Sequence, residues 1–327
     1  MALSHDAVVV TDADWRRAGW DAGAHLRAAL SIRRVDDLVR AHDDAVMRPH
    51  GLTSARHEAL ALLYFSRTGE RTLRDLSDHL VVHPTSVTGT VDALEAAGFV
   101  ERVPHPSDRR TTLARITEEG RRAMAASCRD LGRRHSGLDA LDEAAAERVF
   151  ARLRPVRVAA GDVPAHGGGA DPVLEADAHW AREGWSAGPW FRAAFSIYQA
   201  ADVIERANLA VLAPLGLTRV RHETLGALYF APPAGWPMHR LSSVMLVHPT
   251  SMTGTIDGLE RLGYARRGAD PDDRRRTLVR ITNAGRDAIE VANHAIAADR
   301  CGLGALSTTA AQALFRELTP ARRVDQF

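Results

Sequence analysis

Residues 15–155 and 180–320 of this 327-residue chain are two versions of one sequence. The second follows the first at a constant offset of 165 positions, from Trp15 and Trp180 to Pro155 and Pro320, without a gap. Gly51-Leu52-Thr53 returns as Gly216-Leu217-Thr218, and His83-Pro84-Thr85-Ser86 as His248-Pro249-Thr250-Ser251. Asp108-Arg109-Arg110 returns as Asp273-Arg274-Arg275. Solenoid repeats run about 20–50 residues, so this repeat is a whole domain. Two linked copies can form within one chain what identical subunits form by two-fold symmetry. The expected limits are 1–157 for the first domain, 158–173 for a linker holding Gly167-Gly168-Gly169, and 174–327 for the second.

The composition fits a soluble globular protein, 45% hydrophobic and 25% charged. No apolar run approaches the ~20 residues that span a bilayer, and the N-terminus lacks a basic start with an apolar stretch. A cytoplasmic protein with no membrane association is expected. The net charge of +1 does not by itself point to nucleic acid. All 42 basic residues are Arg, whose planar guanidinium suits phosphates and base edges. The two cysteines, Cys128 and Cys301, do not occupy equivalent positions, which argues against a duplicated thiol sensor.

Residues 13–49 carry no proline before Pro49 and read as one long helix or two. Pro49-His50-Gly51 ends the stretch, and Thr53 is placed to cap a helix reaching about Phe65. A loop at 67–70 precedes a short helix, Leu73 to Leu80. Another starts near Pro84 and stops at Gly98, a C-terminal glycine. Two short helices so closely joined form a helix-turn-helix. Residues 99–103 and 111–116 then read as a hairpin closed by a turn over 104–110, a wing. Thr117 caps the next helix, with Glu118 and Glu119 in its first turn, and a last helix lies near 142–153.

With each residue of the second helix advancing about 100°, Val91 and Leu94 fall within about 40° of Val87, on the inner side. Thr85, Gly89, Asp92 and Ala96 fall about 140–200° away. The outer face is small and polar, able to lie close in a major groove. The candidate contacts are His83, Pro84, Thr85, Ser86, Thr88 and Gly89. Their second-copy counterparts are His248, Pro249, Thr250, Ser251, Thr253 and Gly254, with Arg261 in place of Ala96. An ordinary surface helix with short side chains has the same pattern. The adjacent wing tilts the reading toward DNA, because its tip bears Arg109-Arg110 in one copy and Arg274-Arg275-Arg276 in the other. Such a tip can hold phosphates or enter a narrow minor groove. Asp108 is expected to pair with Arg110, and Asp273 with Arg275.

These residues resemble the MarR family of bacterial transcriptional regulators over nearly all of each copy. The resemblance rests on Gly51-Leu52-Thr53, on Pro84 to Thr88 with Asp92 and Leu94-Glu95, and on Gly98 to Arg102. It continues through Pro106 to Arg110, Ile116-Thr117 and Gly120. The second copy matches at Pro249 to Thr253, Asp257, Leu259-Glu260, Gly263-Tyr264, Asp273 to Arg275, Ile281-Thr282 and Gly285. It implies a mainly α fold with small β-hairpin wings. Two winged helix-turn-helix domains and a helical dimerisation-type region would form an intrachain pseudo-dimer. It further implies a double-stranded DNA operator, read as a pseudo-palindrome, and a small aromatic or anionic effector. Relatives often carry an Arg on the exposed recognition face. Here Gly89 and Ala93 stand in copy one, and Gly254 and Gly258 in copy two. The candidate ligand residues are Trp15, Trp20 and His25 with Arg56 and His57, and Trp180, Trp185 and Trp190 with Arg221 and His222. Interface core is the alternative role for the tryptophans.

Two functions therefore compete. One is a sequence-specific regulator, a repressor relieved by its ligand. The other is a ligand-binding or scaffolding protein of the same fold in which one or both copies no longer bind DNA. Retention of Pro249-Thr250-Ser251 and Arg274-Arg275 speaks against such a loss. The chain carries no nucleophile–base–acid set, P-loop or dinucleotide fingerprint, so no enzyme, cofactor or metal site is expected.

Overall fold

The computed structural model describes residues 6–80, 84–107, 111–163, 171–185, 188–245, 248–270 and 277–323, with His79, Pro84 and Thr85 as backbone only. The first copy contains α1 (Ala7–Arg17), α2 (Gly23–Met47), α3 (Ser54–Tyr64), β1 (Glu70–Thr72), α4 (Leu73–Leu80), α5 (Pro84–Ala96), β2 (Val100–Pro104), β3 (Thr112–Ile116), α6 (Glu118–Arg133) and α7 (Glu143–Ala159). The second contains α8 (Pro172–Arg182), α9 (Pro189–Leu212), α10 (Arg219–Tyr229), β4 (Trp236–Pro237), α11 (Met238–Met245), α12 (Pro249–Arg261), β5 (Ala265–Ala269), β6 (Thr277–Ile281), α13 (Asn283–Ala298), α14 (Thr308–Glu317) and α15 (Thr319–Arg322). The fold is mainly α, with a small antiparallel sheet in each copy.

Local sequence explains most boundaries. The stretch expected to be one long helix or two is two helices, because Gly19 and Gly23 take the left-handed conformation (φ +81° and +56°) at the break between α1 and α2. Gly51 (φ +75°) ends the 3₁₀ turn after α2. Thr53 flanks α3 in extended conformation but its side chain makes no cap. Asp44 instead accepts from the Ser54 amide (2.9 Å) and hydroxyl (2.6 Å). Thr117 does cap α6, accepting from the Gly120 amide at 3.0 Å. Helix α7 continues through Pro155 to Ala159, beyond the expected end near 153.

The wing has three strands in the order β1–β3–β2. The extra strand falls where a loop was expected. It is three residues long, too short for a visible alternation, and is held by register: Glu70 faces Arg115 and accepts its Nε at 2.9 Å. In the second copy β4 takes the same place beside β6, at Trp236 and Pro237.

The chain forms two compact units, and neither consists of a single copy. The first-wing unit comprises 34–154, 161–198 and 317–327. The second-wing unit comprises 1–33, 155–160 and 199–316. Each winged domain is thus packed against the N-terminal aromatic segment of the other copy. In the second-wing unit Trp20 packs on Tyr229 (4.8 Å between ring centroids) and Phe230 (5.7 Å). In the first-wing unit Trp185 packs on Tyr64 (5.5 Å) and Phe65 (6.1 Å). The core of this unit joins Leu60, Leu63, Leu76, Val91, Leu94 and Met124 to Trp180, Trp185 and Phe191. At ~25 cal/mol per Å², burying one tryptophan of ~200 Å² contributes up to about 5 kcal/mol. That is a substantial share of a typical domain's net stability of about 5–15 kcal/mol.

Candidate nucleic-acid interface

The candidate recognition helices are α5 and α12. Val87, Val91 and Leu94 of α5 are buried, as are Met252, Ile256 and Leu259 of α12, which fixes the inner face of each. Ser86, Thr88, Gly89, Asp92 and Ala96 are exposed on α5. Pro249, Thr250, Ser251, Thr253, Gly254 and Arg261 are exposed on α12, with His248 exposed just before it. The His248 ring caps α12, Nδ1 accepting from the Thr250 amide at 3.3 Å. A Cβ at Gly89 or Gly254 would meet nothing within 4 Å, so both faces are open. His83, Arg109, Arg110, Arg274, Arg275 and Arg276 lie outside the described residues, as do the side chains of Pro84 and Thr85 and the pairs Asp108–Arg110 and Asp273–Arg275.

Each wing is tied to its recognition helix by one arginine, a contact that sequence reading missed. Arg102 on β2 bonds Asp92 at 2.5 Å and also Glu95, both on α5. Arg267 on β5 bonds Asp257 at 2.7 Å and also Glu260, both on α12. Such half-exposed pairs add little to stability, about 0–1 kcal/mol. Their effect is geometric: the forked guanidinium sets the angle between hairpin and helix. The available signal was that Asp92, Glu95 and Arg102 all recur together in the second copy.

The ligand candidates regroup. Trp15 and Trp20 meet edge-on at 5.8 Å in the second-wing unit, where Tyr229 and Phe230 complete the cluster. The Arg286 guanidinium lies 5.1 Å from the Tyr229 ring, and the Tyr229 hydroxyl donates to Glu290 at 2.9 Å. Trp20 Nε1 is buried with no acceptor among the described residues. His25 is buried too, its Nε2 3.0 Å from the Leu306 carbonyl. Arg56 and His57 belong to the first-wing unit, whereas Trp15, Trp20 and His25 belong to the second-wing unit. His57 stands 3.5 Å from the Cys128 sulfur; burial lowers its pKa to about 4 and drives the thiol's well up. Both groups are therefore neutral at pH 7.

The first-wing unit holds the matching cluster. Trp180 and Trp185 meet at 5.4 Å, Tyr64 donates to Glu183 at 3.1 Å, and Arg121 lies 5.6 Å from the Tyr64 ring. Trp190 stands apart, stacked on His135 at 4.0 Å and donating to the Leu141 carbonyl at 2.9 Å. His222 bonds Asn293 at 2.7 Å, and burial lowers its pKa. Arg221 points to the Gly216 carbonyl (3.1 Å) beside α12. Tyr64, Phe65 and Arg121 recur as Tyr229, Phe230 and Arg286 at the 165 offset, a signal the sequence reading left unused.

Among the described residues no helix is long and apolar enough to cross a membrane. A model of the MarR family matches residues 52–112, and a second model of that family matches 215–276. The chain is 47% identical to Sco5413, a MarR family transcriptional regulator from Streptomyces coelicolor, over 41% of this chain and 92% of that one (TM-score 0.38). It is 32% identical over 95 residues to the HTH-type transcriptional regulator MhqR of Bacillus subtilis, covering 29% of this chain and 64% of that protein. It is 33% identical over 98 residues to the transcriptional activatory protein BadR of Rhodopseudomonas palustris, covering 30% and 56%. The chain thus spans less than two thirds of MhqR and of BadR. With both winged domains matched and 47% identity over nearly the whole of one relative, the chain belongs to the MarR family and carries that family's domain twice.

Proposed function

We propose that the protein is a sequence-specific double-stranded DNA-binding transcriptional regulator. In this reading one chain acts as a pseudo-dimer on a pseudo-palindromic operator, and it represses until a small aromatic or anionic ligand releases it. The observation that carries the reading is the repeated pairing of a small, polar, open helix face with a wing locked to it by Arg102 or Arg267. Serine and threonine hydroxyls can bond base edges, and threonine methyls can touch thymine methyls. The wing arginines would hold phosphates and set the register. For the ligand, the supporting feature is the buried Trp20 indole N–H, without an acceptor among the described residues, inside an aromatic cluster bordered by Arg286. A carboxylate or phenolate could accept from the indole and face the guanidinium.

The test is a selection from randomised duplexes, followed by the mass of the complex in solution. One chain per duplex, on two inverted half-sites about one helical turn apart, is expected. No enriched sequence would favour the ligand-binding or scaffolding alternative. Two chains on the shortest tight-binding duplex would refute the single-chain pseudo-dimer.

A further inference from the structure

The second recognition helix has few basic groups of its own, and its neighbour α10 places one on it. Arg221, in the first turn of α10, donates from Nη1 to the Gly216 carbonyl at 3.1 Å. The rest of its guanidinium covers Gly258 of α12. A methyl at Gly258 would sit 2.5 Å from Nε, 2.6 Å from Nη2 and 2.8 Å from Cζ of Arg221. Only a glycine lets the arginine lie there.

The place matters. With buried Met252 on the inner side and about 100° per residue, Ser251, Gly254 and Gly258 fall about 200–260° around the helix. Asp257, which holds Arg267, falls about 140° around. The open face of α12 is therefore bordered by the wing-side Arg267 on one edge and by Arg221 on the other. Arg267 is already engaged by Asp257, Glu260 and the Thr253 carbonyl. Arg221 has five N–H donors, and the Gly216 carbonyl is the one acceptor it has among the described residues.

We infer that Arg221 is a DNA phosphate contact, a role that rests on the DNA-binding reading above. It lies at the edge of the recognition face, where a groove-bound helix meets the backbone, and a forked guanidinium fits a phosphate. It restores in space a positive charge that the sequence of α12 lacks at Gly254 and Gly258. The first copy keeps the arginine and its carbonyl partner but lacks the glycine seat. Ala93 stands where Gly258 does, so a methyl fills the guanidinium's seat, and Arg56 Nη1 lies 3.4 Å from the Gly51 carbonyl. The two halves of the chain therefore grip their half-sites unequally, the second more tightly.

The experiment measures affinity for the selected duplex and for a scrambled one, across a KCl series. Arg221→Ala is expected to weaken binding to both about ten-fold and to reduce the slope of log K against log salt by about 0.9, one phosphate. Gly258→Ala, whose methyl displaces the guanidinium, is expected to do the same, while Arg56→Ala leaves the slope unchanged. An unchanged circular dichroism spectrum and unfolding midpoint for Arg221→Ala would exclude a folding defect. An unchanged slope in Arg221→Ala would overturn the assignment. So would a loss confined to the selected sequence, which marks a base contact. A wild-type chain that binds neither duplex would overturn the DNA-binding reading itself, and this contact with it, before any variant is compared.

Discussion

At the scale of single residues, Asp43 has the most consequential environment. It is buried, its Oδ2 accepts from the Tyr198 hydroxyl at 2.6 Å, and its Oδ1 has no hydrogen-bond donor among the described residues. Burial raises its pKa from the ordinary 3.8 to about 7, against the lowering effect of the tyrosine hydrogen bond. The sign follows from the protonated form being favoured in the fold. The stabilisation is complete below pH 3.8, declines as pH rises, and is gone above about 7. Ionised Asp43 costs up to about 4 kcal/mol at pH 8. Asp43→Asn keeps an acceptor for Tyr198 and cannot ionise. Its urea midpoint should exceed that of the wild type by a margin that grows between pH 5 and pH 8. A margin that stays constant or shrinks would show that Asp43 remains ionised in the fold.

At the scale of elements, two glycines in neighbouring helices should respond oppositely to alanine. Gly120 opens α6 beneath the start of the wing, where a Cβ would run into the Phe99 carbonyl and sit 3.0 Å from Ile116 Cγ1. Backbone cannot yield as a flexible side chain can, so Gly120→Ala should cost about 2–3 kcal/mol. Gly285 meets the Tyr264 carbonyl in the same way. Gly89, by contrast, faces open space in α5. Gly89→Ala should stabilise the helix by up to about 1 kcal/mol while weakening DNA binding, because the new methyl stands on the face proposed to meet the groove. Thermal unfolding and duplex affinity measured together check both. Stabilisation with unchanged affinity would remove Gly89 from the interface.

At the scale of the molecule, the two units each need segments from both copies. Trp20 covers Tyr229 and Phe230, and Trp185 covers Tyr64 and Phe65. Neither copy by itself contains a complete unit. Residues 1–165 and 166–327 produced as separate chains should associate one to one when mixed. Light scattering after co-expression checks this, and two stable, folded monomers would refute it.

Much of the fold was legible because its causes are local. The inner positions Val87, Val91 and Leu94, the Thr117 cap and the glycine ends at Gly51 and Gly98 depend on residues within about one helical turn. The exposed face of α5 was legible for the same reason, since a buried side fixes its opposite. Strand β1 was not, because Glu70 is a strand residue only by pairing with Arg115. The Arg102 clamp and the seat of Arg221 on Gly258 also join different elements, which periodicity does not address. The partner of each tryptophan was undecidable for a deeper reason. Duplication gives both copies the pair Trp15/Trp20 or Trp180/Trp185 and the same Tyr-Phe pair, so Trp20 could meet Phe65 or Phe230 with identical local chemistry. Composition and pattern are equal for the two arrangements. Only the path of the chain through three dimensions, which places residues 1–33 with 199–316, decides between them.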